Sequence, residues 1–134
     1  MKLVIDSNRV MAALIQNSLS REILLTPKFE FVAPEKLREE LIKNNNLLLK
    51  KSGLTKENFS LLLDLILSEI EIIPYEEIDN YNKITKDLIK DKGDVPFLSC
   101  ALATNADGIW TEDGDFLYQN KVKVFKTEDL KKFL

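Results

Sequence analysis

Three aspartates flank the apolar runs of this chain. "KLVI" ends at Asp6, "VPFLSCALA" begins after Asp94, and "GIWTE" leads into Asp113. Carboxylates gathered in one place repel one another unless a cation lies among them. A divalent ion held in such a cluster activates water and stabilises charge at a phosphoryl centre. The sequence contains no histidine, which excludes His-based acid–base catalysis, Ser-His-Asp triads and the usual His/Cys zinc sites. Metal chemistry here must use oxygen ligands and hard ions such as Mg²⁺ or Mn²⁺.

Each acid also has a purely structural reading. Asp6 and Asp94 stand where helices begin, and Asp is a good N-cap there. The helix dipole favours a carboxylate at the same place, so a cap and a ligand are compatible. In "TEDGDF" (111–116), Asp and Gly are turn formers. An extended chain past Trp110 would instead turn Asp113 and Asp115 to one face and Glu112 to the other. Leu37, Leu41 and Leu48 define the apolar stripe of their helix. At ~100° per residue Glu40 falls roughly 60° from it, on the edge, able to reach a cleft or simply to bound the core. Glu39 points nearly opposite and reads as a solvated charge.

The elements that must position these residues follow from periodicity. Strands are expected at 2–5, 29–33, 70–74, 107–111 and 121–126, from short apolar or alternating runs. Helices are expected over "NRVMAALI", 20–25, 54–69, 75–90 with a break near Asn80, 95–104 and 127–134. A long helix over 35–50 is expected to open at Pro34, since proline suits the first turn. Thr55 reads as the cap of the 54–69 helix. Strands alternating with helices indicate βαβ units and a parallel sheet covered on both faces. In such sheets ligands collect beyond the carboxyl ends of the strands, where Asp6, Asp94 and Asp113 are placed.

With 134 residues, 45% hydrophobic and 31% charged, the chain has the composition of one globular domain over 1–134 rather than a disordered segment. Its single cysteine, Cys100, cannot form an internal disulfide, and "MKLVID" has no signal-peptide layout. Both suit a cytoplasmic protein. Apolar runs are too short to span a bilayer. The net charge of −3 argues against a strong non-specific grip on nucleic acid, though divalent ions would offset an acidic site.

Four segments together resemble the PIN domain, the PilT N-terminus-like nucleases. They are "VIDSN" (4–8), "APEKLREEL" (33–41), "DVPFLSCALA" (94–103) and "IWTEDGDF" (109–116). The resemblance runs through nearly the whole chain, and the "DKGD" of Asp91–Asp94 is similar to archaeal and bacterial toxin-type members. It implies a three-layer α/β/α sandwich with a mainly parallel central sheet and a metal-dependent ribonuclease. Carried over by position, Asp6, Glu40, Asp94 and Asp113 match the family's acidic quartet, Asp115 a further acid, and Asn8 and Thr111 its polar supports. It also implies, for toxins of VapBC-type modules, a homodimer and a small antitoxin partner. Glu112 and Arg9 depart from the pattern without removing an expected ligand.

The expected mechanism has Asp6, Asp94 and Asp113 holding Mg²⁺ or Mn²⁺. Glu40 and Asp115 complete the shell or orient water for in-line attack on an RNA phosphodiester. Arg9 and Lys43, with Lys50 and Lys51, are candidates to contact RNA. Two rivals stand against this. One is a non-catalytic RNA-binding or assembly domain of the same fold, against which the intact acid set argues. The other is a phosphotransfer or phosphatase domain, which would want a second acid where Asn8 stands.

Overall fold

The computed structural model describes residues 1–134. Five strands form one sheet: β1 Lys2–Ile5, β2 Glu30–Pro34, β3 Ile70–Ile73, β4 Gly108–Trp110 and β5 Val124–Phe125. Nine α-helices surround it. They are α1 Ser7–Ile15, α2 Leu19–Leu25, α3 Lys36–Lys43, α4 Asn45–Ser52, α5 Lys56–Ser68, α6 Tyr75–Ile78, α7 Asn82–Thr85, α8 Val95–Ala103 and α9 Thr127–Lys131. The strand order is β3-β2-β1-β4-β5 and every pairing is parallel. The expected parallel α/β/α sandwich is therefore the observed architecture.

Parallel strands with helices on both faces must be apolar on both faces. Leu3, Val4 and Ile5 of the central strand are fully buried, as are Ile109 and Trp110 of β4. One helical layer joins α1 to α2, α4 and α5; in the other, α8 lies on β1, β2 and β4, flanked by α6 and α7. From β1 the chain steps outward to β2 and β3, then returns to place β4 on the other side of β1. That reversal of direction makes the β1/β4 boundary the switch point where α/β sheets open a crevice at their carboxyl ends.

Several boundaries differ from the periodic pattern, each for a local reason. The expected 35–50 helix is two helices, divided at Asn44. The Asn44 side-chain amide donates to Glu40 O at 2.8 Å, competing with the helical ladder in the way that makes Asn a helix terminator. Pro34 closes β2 opposite Ile73 instead of opening a helix; the strand end needs no donor there, and Glu35 N supplies the bond to Ile73 O. Within 75–90 the break comes as a 3-10 turn over Asp79–Tyr81, and regular helix ends at Thr85.

The last strand is two residues long instead of six. The buried Gln119 side chain accepts from Lys121 N and Val122 N and donates to Phe116 O and Val122 O, which folds this stretch into a turn. Gly53 sits at φ +68° after α4, the left-handed cap conformation that glycine adopts without steric cost. Thr55 caps α5 as expected, accepting from Asn58 N at 3.1 Å. No helix is long and apolar enough to cross a membrane.

Candidate active site

Asp6 leaves the end of β1 buried, and its N–H bonds Trp110 O of β4. It occupies the N-cap position of α1, yet its side chain makes no cap bond. Its Oδ2 instead accepts from the buried Thr111 hydroxyl at 2.6 Å. The same Thr111 oxygen accepts from Asp113 N at 2.9 Å. Asp113 Oδ1 in turn accepts from Asp115 N at 2.9 Å, opening a 3-10 turn over Gly114–Tyr118. One hydroxyl at the end of β4 thus fixes the aspartate of β1 and the loop that carries the two further acids. The stretch is not extended past Asp113. Asp113 and Asp115 come together because one side chain caps the other's backbone.

Asp94 heads α8 and also makes no cap bond. Its Oδ2 is buried without a hydrogen-bond partner, an arrangement that costs free energy unless another group completes it. Desolvation, then the charges of Asp113, Asp91, Asp6 and Asp115, push its carboxyl up to about 7. Burial likewise raises the Asp6 carboxyl, opposed by the Thr111 hydrogen bond and the Asn8 N–H and reinforced by Asp113. Glu40 is half-buried and also raised, first by desolvation. The Ser7 hydroxyl and Lys36 oppose that rise, while Asp6 adds to it and Lys43 again opposes it. Ser7 Oγ is close enough to favour the Glu40 charge without forming a hydrogen bond of good geometry.

At the β1/β4 carboxyl edge the charges of Asp6, Asp113 and Asp115 act on Asp94, and that of Asp6 acts on Glu40. Oxygens within 4.8 Å of one another belong to Asp91, Asp94 and Asp115. Of the expected ligand trio only Asp94 is in that group, with Asp6 and Asp113 joined to each other through Thr111. Asp91 had been given no role. It caps the 3-10 turn Lys92–Asp94 before α8, its Oδ1 accepting from Gly93 N at 2.9 Å. Its signal was the D-x-x-D spacing, since one 3-10 turn brings residues three apart into line.

The supporting residues divide. Thr111 is the hub just described, whereas Asn8 is exposed in the first turn of α1 and its side chain bonds nothing in the chain. Arg9 donates to Ser20 Oγ at 3.4 Å, lies close enough to favour the Asp6 charge, and has a buried, unpartnered Nε. Lys43 lines a polar cavity of about 400 Å³ with Lys36, Glu39, Glu40, Asn44 and Gly93, beside the acids. Lys50 and Lys51 are exposed on the last turn of α4 and do not line it.

Two neighbouring acids belong to the scaffold. Glu112 Oε1 accepts from Thr127 N at the start of α9. Glu39 is exposed but not merely solvated: it accepts from the Tyr75 hydroxyl at 2.5 Å, tying α3 to α6.

The donor set is all oxygen, with one buried acceptor left open, and suits a hard divalent ion. A family model for the PIN domain matches residues 4–133 of the chain. The chain belongs to the PIN-domain family. Among solved structures it resembles VapBC2 from Rickettsia felis bound to a DNA fragment from their promoter. The TM-score is 0.69 at 23% identity, covering 94% of this chain and 98% of that one. No curated protein matches the chain in sequence.

Proposed function

We propose that this PIN domain is a divalent-metal-dependent endoribonuclease, the toxin of a toxin–antitoxin module. The observation that carries the proposal is the buried, unpartnered Asp94 Oδ2 set among four other carboxylates at the switch point of the sheet. Asp94, with Asp6 and Asp113 near it and Asp91 and Asp115 within 4.8 Å, would hold Mg²⁺ or Mn²⁺. The ion, when bound, supplies an activated water and offsets charge at the reacting phosphorus. Thr111 keeps Asp6 and Asp113 in register with each other. Glu40 faces the cluster from α3 and orients the attacking water. Of the nearby hydroxyls, Thr111 is held by Asp6 and Asp113 and Ser7 is buried, which fits direct hydrolysis without a covalent intermediate.

Arg9, Lys36 and Lys43 border the acids and contact the RNA backbone. The neighbouring VapBC2 structure and the exposed apolar side chains of α3–α5 support a protein partner. Ile42 is 74% exposed on a cavity of about 330 Å³ that Leu41, Leu63 and Leu67 also line, and Leu61 elsewhere on α5 is 68% exposed. A second copy of the chain or a small antitoxin occupies this face.

The test compares RNA cleavage by the wild type and Asp94→Asn, with Mn²⁺ and with EDTA. The wild type with Mn²⁺ should cleave, and both the substitution and the chelator should lower the rate at least about 100-fold, the scale of losing a charge-stabilising group. Equal activity in all four conditions would sink the mechanism.

A further inference from the structure

Beyond the acids, the 3-10 turn Gly114–Tyr118 carries a feature that folding does not explain. Phe116 faces the core, fully buried, while Tyr118 is 72% exposed. The Tyr118 hydroxyl makes no hydrogen bond in the chain, and Lys90 makes no ion pair. Lys90 Nζ lies 5.1 Å from the centre of the Tyr118 ring. A ring this exposed is not covered on both faces, so the ammonium leaves one face open to solvent.

Two parallel adjacencies place this pair beside the acid cluster. In a 3-10 helix, side chains three apart eclipse, so Tyr118 stands over the same edge as Asp115. Lys90 immediately precedes Asp91, whose carboxylate lies within 4.8 Å of those of Asp94 and Asp115. The two strips run side by side, Lys90–Asp91 against Tyr118–Asp115. An exposed aromatic face with a free cation over it, adjoining the acid cluster, has the composition of single-stranded nucleic-acid sites. There bases stack on rings and cations follow the backbone.

We propose that Tyr118 and Lys90 form a nucleotide platform flanking the acid cluster, on which a base of single-stranded RNA stacks while Lys90 meets its phosphate. This deepens the ribonuclease reading and rests on it for the identity of the ligand. Stacking selects unpaired nucleotides over duplex, because a base in a helix does not offer its face.

The experiment measures binding of a fluorescein-labelled ten-nucleotide single-stranded RNA by anisotropy, in an Asp94→Asn background that suppresses turnover. Adding Tyr118→Ala should weaken binding about 5- to 100-fold, the scale of one stacked base, and Tyr118→Phe should keep it. An oligonucleotide with the same backbone but no bases should not distinguish Ala from Tyr. Lys90→Gln should weaken binding to both oligonucleotides and flatten the salt dependence. Unchanged affinity in Tyr118→Ala, or equal loss in Tyr118→Ala and Tyr118→Phe, would overturn the platform. So would an effect on particle mass in sedimentation in place of RNA affinity, since the ring would then belong to a protein interface. If Asp94→Asn leaves cleavage intact while the Tyr118 effect stands, the hydrolytic mechanism falls and the platform remains. Metal-dependent cleavage with no Tyr118 effect removes the platform alone.

Discussion

Asp94 carries the most strained charge in the molecule, and its titration links stability to metal. Its folded carboxyl is pushed up to about 7 from an ordinary value of 3.8, chiefly by desolvation and then by the surrounding acids. The folded state therefore holds a proton that the unfolded state has released between those two values. Stability from this source is complete below pH 3.8 and is lost as pH rises through about 7. The raised Asp6 and Glu40 carboxyls act in the same direction. A divalent ion requires the deprotonated form, so its stabilising effect grows as the proton's declines. Thermal denaturation of chelated protein should give a higher Tm at pH 5 than at pH 8. Added Mn²⁺ should raise Tm most at pH 8 and little at pH 5, and Asp94→Asn should flatten the chelated profile. A chelated Tm that rises from pH 5 to pH 8 would contradict the assignment of strain to this cluster.

Between elements, the site depends on how closely β5 and β4 approach. At Gly108 a Cβ would come within 2.5 Å of the Phe125 ring and 2.7 Å of Lys123 O. Gly108→Ala must push β5 outward, at a cost of about 1–3 kcal/mol readable in denaturant unfolding. The displacement also disturbs Thr111, whose N–H bonds Phe125 O, so metal affinity should fall together with stability. Elements of this kind were partly legible in the sequence. Buried parallel strands read clearly because both faces must be apolar, as in Leu3–Ile5, and Leu37, Leu41 and Leu48 are all buried although Leu48 stands on a second helix. Asp6 and Asp94 stood out because strand ends and helix starts can be located from those runs. What periodicity could not show were bonds between side chain and backbone that redirect the chain. Asn44 on Glu40 O, Gln119 across its turn and Asp113 on Asp115 N are of this type. Asp91 has a local signal in its spacing from Asp94, but its approach to Asp115, like the Lys90–Tyr118 pair, joins segments that only the folded chain brings together.

At the scale of the whole molecule, the acidic edge and the exposed leucines of α5 lie on different elements, so they can be altered separately. Leu61 and Leu65 stand four residues apart on α5, hence on one side of it, and both are exposed. Neither belongs to the buried core of 31 side chains, so polar replacements there should change stability by no more than about 0.5 kcal/mol. Ile42 and Leu47 are exposed on the neighbouring helices, and apolar surface of this kind marks a protein interface when contiguous. A second copy of the chain is the occupant that needs no other gene product. Leu61→Lys combined with Leu65→Lys should therefore keep the Tm and the metal-dependent cleavage of the wild type while abolishing pairing. Sedimentation should find the wild type at about twice the 15.4 kDa chain mass and the variant at 15.4 kDa. Lysines are suited to this test because their charge opposes burial in a self-paired face, where each would meet its like. A wild type that sediments at 15.4 kDa at the same concentration would show that the face is not self-paired. Cleavage that survives dissociation would show that each acidic edge works within a single chain, which is what the Asp6–Thr111–Asp113 linkage, closed within one chain, leads us to expect.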